Sequence, residues 1–238
     1  MTVNLESYRQ MLAQPWGKIQ YDITFSQLSA IENQTVLDFG AGLGLVSSYL
    51  AEKNQVTAIE PNEEMLEPQK VTNYEKLLGS LDQLEKLADD SFDLLLCHNV
   101  LEYIPLEERL TYLNHFKRLV KPNGRLSIIK HNQVGKVMQT VVFANDVDKA
   151  LKLLEGEAFE SVSFSQGETY TIEDLLELTQ LPMEGYQAIR TFYSLQPNDV
   201  KLEEGWLEQM TEMELAVCDL KPYKDISFLQ HIWLINQK

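Results

Sequence analysis

Short apolar runs alternate with stretches of helical periodicity along most of the chain. The apolar runs are predicted as strands at 35–40, 55–60, 92–99, 125–132, 185–195 and 227–236. Over 106–121 apolar side chains recur three or four residues apart, as on one face of a helix: Leu110, Leu113, Phe116 and Val120. The KPNG tetrapeptide at 121–124 is expected to end that helix with a turn. This alternation predicts an α/β fold with a doubly wound, mostly parallel sheet.

The last third of the chain departs from this alternation. Residues 135–155 have a helical pattern, 156–170 have none, and Thr171 is placed to cap a helix. We expect the last strand to be antiparallel and the insertion to form a helical lid over the sheet. The prediction is a single domain, 1–238, with an N-terminal helical region (1–34), a ligand-binding core (35–132), the lid insertion (133–168) and the rest of the sheet (169–238).

A glycine-rich turn connects the first predicted strand to a helix in VLDFGAGLGLVSSYLA, residues 36–51. Glycines in such a turn adopt backbone angles that other residues avoid, and they let the backbone approach a ligand closely. A phosphate-binding P-loop needs Gly-Lys-Ser/Thr, but Gly44 is followed here by Leu45, which excludes it. A dinucleotide loop needs G-x-G-x-x-G/A, and its sixth position is here Leu45 or Ser47. That alternative fits imperfectly.

The acid two residues before G-x-G-x-G resembles motif I of the class I S-adenosylmethionine-dependent methyltransferases. Later segments resemble that family in the same order: AIEPNEEML (58–66), LLGSLDQL (77–84), FDLLLCHNVLEYIP (92–105) and LVKPNGRLSIIK (119–130). The resemblance implies a Rossmann-like fold with S-adenosylmethionine as cofactor. It implies cofactor contacts at Asp38, Gly40, Ala41, Gly42, Gly44, Glu60, Pro61, Met65, Gly79, Ser80, Leu81, His98 and Asn99.

In that family the acid at the tip of the second strand accepts hydrogen bonds from both ribose hydroxyls, a role that falls here to Glu60. Dinucleotide enzymes share such an acid, so it does not discriminate alone. Simpler alternatives exist for three of these residues. Glu60 could be a solvated surface acid, Met65 a core methionine and His98 a structural histidine.

Within the family, the nearest likeness is to bacterial tRNA carboxymethoxyuridine methyltransferases and their relatives. It is carried by CHNVLEYI (97–104), the segment 130–151, GYQAIRTFYSL (185–195) and the closing 221–238. These relatives have an arginine where this chain has Gln20, which makes Gln20 the candidate contact to the amino-acid end of the cofactor. Arg190 matches a family arginine and could face a substrate carboxylate.

Methyl transfer from a sulfonium is an in-line displacement, for which the cofactor supplies the electrophile. The candidate catalytic residues are His98, His131 and Arg190. Both histidines lie at the ends of predicted strands, where ligands of parallel sheets bind, and Asn132 lies beside His131. A carboxylate acceptor needs no base, whereas a phenol or an amine could use either histidine. Candidate pocket walls are Tyr103, Phe143, Tyr170 and Tyr193.

The formal net charge of −16 argues against a polyanionic partner. Residues 109–152, however, contain nine bases and two acids, a net charge of +7. Four of these bases flank the start of the fifth strand, opposite the expected site, and are predicted to form a solvated face: Lys117, Arg118, Lys121 and Arg125. Lys130 and Lys136 lie at the edge of the expected site, but two lysines are weak evidence for a surface that binds a polyanion. The prediction of a tRNA acceptor therefore depends on the resemblance alone.

Only two cysteines are present, no run of about 18 apolar residues occurs, and the first residues do not resemble a signal peptide. We therefore expect a cytoplasmic protein without a membrane span. Cys97 is expected to face the packed layer of the sheet. The spacing of histidines and acids predicts no metal site.

The sequence thus predicts methyl transfer from S-adenosylmethionine to a small-molecule or tRNA acceptor. DNA is excluded as acceptor because CHNV replaces the Asp/Asn-Pro-Pro-aromatic signature of DNA amino-methyltransferases. The alternatives are a small-molecule O- or N-methyltransferase, a non-catalytic S-adenosylmethionine-binding partner subunit and, more distantly, an NAD-dependent oxidoreductase.

Overall fold

The computed structural model describes residues 5–67, 69–160 and 166–238. The helices in these ranges are α1 (Leu5–Ala13), α2 (Pro15–Leu28), α3 (Leu45–Leu50), α4 (Glu63–Leu66), α5 (Leu81–Lys86), α6 (Leu106–Leu119), α7 (Gln133–Val142), α8 (Val147–Leu154), α9 (Ile172–Thr179), α10 (Trp206–Val217) and α11 (Tyr223–Ile226). Short 3-10 helices occur at Leu101–Tyr103, Tyr193–Leu195 and Val200–Leu202. None of the helices in the described ranges is long and apolar enough to cross a membrane.

The strands are β1 (Thr35–Phe39), β2 (Gln55–Glu60), β3 (Glu75–Leu78), β4 (Phe92–His98), β5 (Val120–His131), β6 (Phe159–Glu160), β7 (Gln166–Gly167), β8 (Met183–Ile189) and β9 (Leu229–Ile235). Seven of them form one sheet in the order β3-β2-β1-β4-β5-β9-β8, and β6 pairs with β7. The pairs β1–β2, β1–β4, β2–β3 and β4–β5 are parallel. The central strands are buried on both faces, as their continuous apolar runs indicate.

Strand β9 runs antiparallel to β5. The N–H of Asn123 donates to the carbonyl of Asn236, and the N–H of Asn132 donates to the carbonyl of Phe228. The predicted mostly parallel sheet with an antiparallel last strand is therefore confirmed. Strand β3 was not predicted, because its sequence EKLL is half polar and its residues stay partly exposed at the edge of the sheet.

The prediction of a turn at KPNG was wrong, because this segment belongs to β5. The pairing of β5 with β4 shifts from Phe92–Val120 to Leu94–Arg125, so the residues between Val120 and Arg125 bulge out of the ladder. Asn123 has a φ of 64°, a left-handed angle that asparagine tolerates better than most residues. Pro122 and the left-handed Asn123 therefore lie in a β-bulge here and not in a turn that reverses the chain.

The predicted helix at 106–121 is present as α6 but ends at Leu119. Its buried face includes Leu113 and Phe116, as predicted, together with Tyr112. Leu110 is 45% exposed, so its assignment to this face was wrong. At about 100° per residue, Leu110 lies beside the stripe that passes through 109, 112, 116 and 119.

The chain divides into two compact units, which are described separately. The first unit comprises 27–129, 172–185 and 232–238. Its core includes Phe39, whose ring centroid lies 5.2 Å from that of Phe116 and 5.7 Å from that of Tyr112. Aromatic packing of this kind joins α6 to the central strand β1.

The second unit comprises 1–26, 130–171 and 186–231. Its helix α7 begins against the segment before β9: a Cβ on Gly135 would lie 2.3 Å from the carbonyl oxygen of Ser227. The amide of Asn132 donates to the carbonyls of Asp225 and Ser227, both at 2.9 Å. The predicted insertion contains α7 and α8, residues 161–165 lie outside the described ranges, and lid closure stays a prediction.

Asn236 is buried beside the bulge in β5, and its amide donates to the carbonyls of Lys117 and Val120 at 2.9 and 2.7 Å. Replacement with alanine leaves both carbonyls without this donor. We expect Asn236→Ala to lower the free energy of unfolding by about 2 kcal/mol in urea titrations. Gln237→Ala, at the exposed neighbouring position, is the matched control. Equal stability of the two variants would contradict this role.

Candidate active site

The glycine turn between β1 and α3 has a left-handed backbone at three positions. Gly40, Gly42 and Gly44 have φ values of 76°, 57° and 71°. A Cβ on Gly40 would lie 2.3 Å from Cγ2 of Val100, and one on Gly44 would lie 2.0 Å from the hydroxyl of Tyr74. The loop therefore needs glycine both for its backbone angles and for its close approach to these side chains.

The end of β2 anchors this loop through Glu60. Its carboxylate accepts the N–H of Gly42 at 2.8 Å and the N–H of Asn62 at 2.9 Å. Glu60 is only 7% exposed, so the alternative of a solvated surface acid is wrong. Burial raises the pKa of Glu60, and the two backbone hydrogen bonds partly oppose this effect. Each carboxylate oxygen keeps a further lone pair, so the group can still receive two ribose hydroxyls.

Asp38 lies buried at the end of β1, below the loop. Its carboxylate accepts a 2.5 Å hydrogen bond from the hydroxyl of Ser47 in α3. Burial raises the pKa of Asp38 to about 6, with a smaller contribution from the charge of Glu60. The side chain thus joins β1 to α3, and the predicted part of Asp38 in cofactor binding stays a prediction.

The turn after β3 lies next to the same loop. The N–H of Gly79 donates to the carbonyl of Glu60 at 3.2 Å. The next N–H, of Ser80, donates to the carboxylate of Asp82 at 3.0 Å, and Leu81 begins α5. This turn therefore remains the candidate adenine site.

Met65 and Pro61 flank the loop on its α4 side. The methyl of Met65 would lie 3.3 Å from a Cβ on Gly42, and the side chain is buried. Pro61 is exposed beside the end of β2. The structure therefore places Met65 both in the core and against the loop. The backbone of Ala41 donates to Ile59 at 3.0 Å, which fixes the loop to β2.

His98 ends β4, and its Nε2 lies 2.8 Å from the hydroxyl of Ser127. Although part of the residue reaches the surface, protein atoms surround the ring, and this desolvation lowers the pKa of His98 to about 3. A neutral imidazole with this pKa is a weak proton acceptor, which favours hydrogen bonding over general-base catalysis. Asn99 follows with a φ of 55°, and its N–H donates to the carbonyl of Ile129 at 2.7 Å.

Three other candidate residues belong to the second unit. Arg190 and Gln20 lie together, with 3.5 Å between Nη1 of Arg190 and Oε1 of Gln20. His131 packs against the rings of Phe159 and Phe228, with centroid distances of 4.8 and 5.5 Å. The catalytic roles of His131 and Arg190 and the cofactor role of Gln20 stay predictions.

The predicted pocket walls differ in exposure. Tyr170 and Tyr193 are buried, Tyr103 is half-buried and Phe143 is 41% exposed. Cys97 is fully buried, as predicted, and burial raises the pKa of its thiol. No cluster of His, Cys, Asp or Glu that could hold a metal ion occurs in the described part of the chain.

The basic residues near the start of β5 are engaged with acids and carbonyls. Lys121 pairs with Asp93 at 2.8 Å and Arg118 with Asp89 at 2.5 Å. Arg125 lies 3.7 Å from a carboxylate of the first unit, and Lys117 donates to a backbone carbonyl. These side chains support the interpretation of a structural, solvated face.

Sequence reasoning missed four residues that shape the loop or its supports: Val100, Tyr74, Asp82 and Ser127. Val100 and Tyr74 fill the space that the loop glycines leave open. The role of Asp82 could have been predicted from the sequence. An acid in the first turn of a helix that follows a glycine commonly accepts hydrogen bonds from backbone N–H groups. The other three meet the site only through tertiary contacts.

Residues 37–128 match a family model described as "Methyltransferase domain". The matched residues contain the loop, Glu60, the turn at Gly79 and His98, and thus most of the candidate site.

The chain is similar to a curated relative, the ubiquinone biosynthesis O-methyltransferase of Hydrogenovibrio crunogenus. The two are 28% identical over 127 residues, which cover 50% of this chain and 51% of the relative. The match therefore spans about half the length of that relative.

Two solved structures share the fold of this chain. One is an S-adenosylmethionine-dependent methyltransferase from Mesorhizobium loti, with a TM-score of 0.59 at 13% identity, covering 94% of this chain and 98% of that one. The other is the Burkholderia thailandensis 1,6-didemethyltoxoflavin-N1-methyltransferase with S-adenosylhomocysteine bound, with a TM-score of 0.56 at 15% identity, covering 98% and 85%.

Asp38 makes the stability of the domain depend on pH. Its raised pKa means that the folded state binds the proton more tightly, so stability falls as pH rises from about 4 to about 6. We expect the difference in unfolding free energy between wild type and Asp38→Asn to change by about 3 kcal/mol across this range in urea titrations.

Asp93→Asn is the control with the opposite sign. Burial acts to raise the pKa of Asp93, but hydrogen bonds from Lys121 and Thr35 outweigh it and bring the value to about 2. The stability that Asp93 contributes is therefore lost only as the pH falls toward that value. A flat Asp38→Asn difference between pH 4 and 7 would contradict the role of Asp38.

His98 should remain neutral throughout the physiological pH range. We expect its ring resonances, identified by their loss in His98→Gln, to show no titration between pH 5 and 8 in NMR spectra. A midpoint inside this range would restore His98 as a candidate base.

Proposed function

We propose that this chain transfers a methyl group from S-adenosylmethionine to an oxygen of a small-molecule acceptor. The observation that carries the proposal is the closure of the glycine loop on Glu60, through the 2.8 Å bond from Gly42, inside a methyltransferase domain. The 28% identical relative is named for O-methyl transfer, which supports oxygen as the acceptor atom.

The residues present fit the cofactor. The loop has no room for a Cβ at Gly40 or Gly44, so its backbone is the surface that a ligand meets, and Glu60 retains lone pairs for hydroxyls. The turn at Gly79 and Ser80 would hold the adenine. When bound, the sulfonium supplies the electrophilic methyl group.

The chain would act mainly by positioning. The acceptor atom has to lie about 3–3.5 Å from the methyl carbon and in line with the bond that breaks. His98, held by Ser127 and neutral, would donate or accept a hydrogen bond rather than remove a proton. A carboxylate acceptor fits this arrangement because it needs no base.

Undermodified tRNA is the second candidate acceptor. The resemblance to tRNA carboxymethoxyuridine methyltransferases favours it, and the net charge of +7 over 109–152 is the one feature of the sequence that suits a polyanion. Against it, Lys121 and Arg118 are occupied by acids. We also retain a reducing cytoplasm as a proposal, supported by two buried cysteines that are not joined in a disulfide, Cys97 and Cys218.

Calorimetry with S-adenosylmethionine and S-adenosylhomocysteine tests the proposed cofactor, with NADH as the control ligand. We expect binding of both sulfur compounds and none of NADH. Glu60→Gln should weaken S-adenosylhomocysteine binding at least about tenfold, because hydrogen bonds to a charged group contribute about 1.5–3 kcal/mol each. Glu64→Gln, an exposed acid nearby, should bind like wild type.

An acceptor screen then separates the remaining alternatives. Transfer of labelled methyl to a small-molecule extract supports the proposal, and transfer only to undermodified tRNA supports the second candidate. Cofactor binding without any methyl acceptor would favour a non-catalytic partner subunit. Absence of S-adenosylhomocysteine binding would overturn the proposed function.

A further inference from the structure

Ser80 stands at the N-terminal end of α5 but does not cap that helix. A serine at this position usually accepts a hydrogen bond from a backbone N–H of the first helical turn. Within the described residues of α5, no backbone N–H donates to the hydroxyl of Ser80. The oxygen of this hydroxyl lies instead 3.3 Å from the hydroxyl oxygen of Tyr112, 32 residues further along the chain. The side chain of Ser80 therefore has a hydrogen bond with a distant helix in place of a local one.

Tyr112 lies on the buried face of α6, and its ring contacts another part of the candidate site. The ring centroid of Tyr112 lies 5.7 Å from that of Phe39, with the two ring planes at 54°. Phe39 is the last residue of β1, and Gly40 follows it as the first residue of the glycine loop. One side chain of α6 therefore contacts both the strand end that leads into the loop and the turn that follows β3.

The turn that follows β3, residues 79 and 80, is the candidate adenine site and is called the adenine turn below. The backbone N–H of Ser80 donates to the carboxylate of Asp82 at 3.0 Å, which joins the adenine turn to the first turn of α5. This local bond does not fix the adenine turn relative to the glycine loop. Bonds to other elements are needed for that. The N–H of Gly79 donates to the carbonyl of Glu60 at 3.2 Å, and the hydroxyl of Ser80 pairs with that of Tyr112.

The hydroxyl of Tyr112 is not needed for packing in the core. A phenylalanine would fill the same space against Phe39, as Phe116 does one helical turn later at a centroid distance of 5.2 Å. The tyrosine oxygen adds a hydrogen bond to Ser80, a half-buried residue of the adenine turn. The turn, rather than the core, therefore accounts for a tyrosine at this position.

We propose that Tyr112 is a positioning residue for the cofactor. Its ring contacts the end of β1 and its hydroxyl holds Ser80, so that the glycine loop and the adenine turn keep a fixed separation. The inference rests on the proposed function, because it takes the loop and the turn to bind two parts of one molecule. Such a ligand binds more tightly when both parts of its site are already ordered, since less conformational entropy is lost on binding.

Calorimetric titration of S-adenosylhomocysteine into Tyr112→Phe tests the role of the hydroxyl. This variant keeps the ring and should bind the ligand about fivefold more weakly than wild type, because a hydrogen bond that orders the adenine turn is lost. Thr111→Val, which removes an exposed hydroxyl from the neighbouring position of α6, should bind like wild type. Wild-type affinity of Tyr112→Phe, even with a lower melting temperature, would overturn the proposal, since a purely structural hydroxyl affects stability alone.

A double-mutant cycle tests whether Tyr112 acts through Ser80. In a Ser80→Thr background, which keeps the hydroxyl, Tyr112→Phe should again weaken binding about fivefold. In a Ser80→Ala background it should cause no further loss, because the hydrogen-bond partner is already absent. The comparison holds even if Ser80→Ala itself weakens binding through a direct contact with adenine. Equal losses in the two backgrounds would contradict the proposal.

The ligand 5′-methylthioadenosine, which lacks the amino-acid end, locates the effect. Tyr112→Phe should weaken its binding by the same factor as that of S-adenosylhomocysteine, because both ligands carry adenine and ribose. A loss confined to S-adenosylhomocysteine would overturn the assignment to the adenine turn. If neither ligand binds to wild type or to Thr111→Val, the proposed function is wrong and this inference fails with it. Normal binding to wild type without an effect of Tyr112→Phe refutes this inference alone.

Discussion

The paired hydrogen bonds that Glu60 accepts from the N–H groups of Gly42 and Asn62 hold the candidate cofactor site together. One bond closes the glycine loop on the end of β2, and the other fixes the chain where α4 begins. Asp38 is a second buried acid, below the loop, and its carboxylate accepts a hydrogen bond from the hydroxyl of Ser47. The site therefore rests on two buried carboxyl groups, an arrangement that is common where binding matters more than stability.

Parallel pairing explains why these groups meet. The carboxyl ends of β1, β2 and β4 lie at one edge of the sheet, so the loops that follow them gather there. The opposite ends carry Lys121 and Arg118, which pair with acids beside them. The charges of these two bases are thus balanced by neighbouring acids.

The buried charged groups of the two units have different hydrogen-bond partners. In the first unit, the carboxylates of Glu60 and Asp38 are compensated by hydrogen-bond donors from the backbone and from Ser47. In the second, the buried ammonium of Lys201 donates to Oδ1 of Asn198, and Nη1 of Arg190 donates to Oε1 of Gln20. Backbone N–H groups and hydroxyls can satisfy a buried acid, whereas a buried cation needs acceptors, which here are side-chain amide oxygens.

The amino-acid sequence by itself determined the parallel sheet, the glycine loop and the position of Glu60, because apolar runs and glycine spacing are local signals. It did not reveal the edge strand β3, the bulge at KPNG or the exposure of Leu110, since neighbouring strands and helices decide these. Lys201 is the clearest case. In the polar stretch NDVKLEEG it has no distinguishing feature, and only the tertiary structure buries it beside the rings of Trp16 and Phe143.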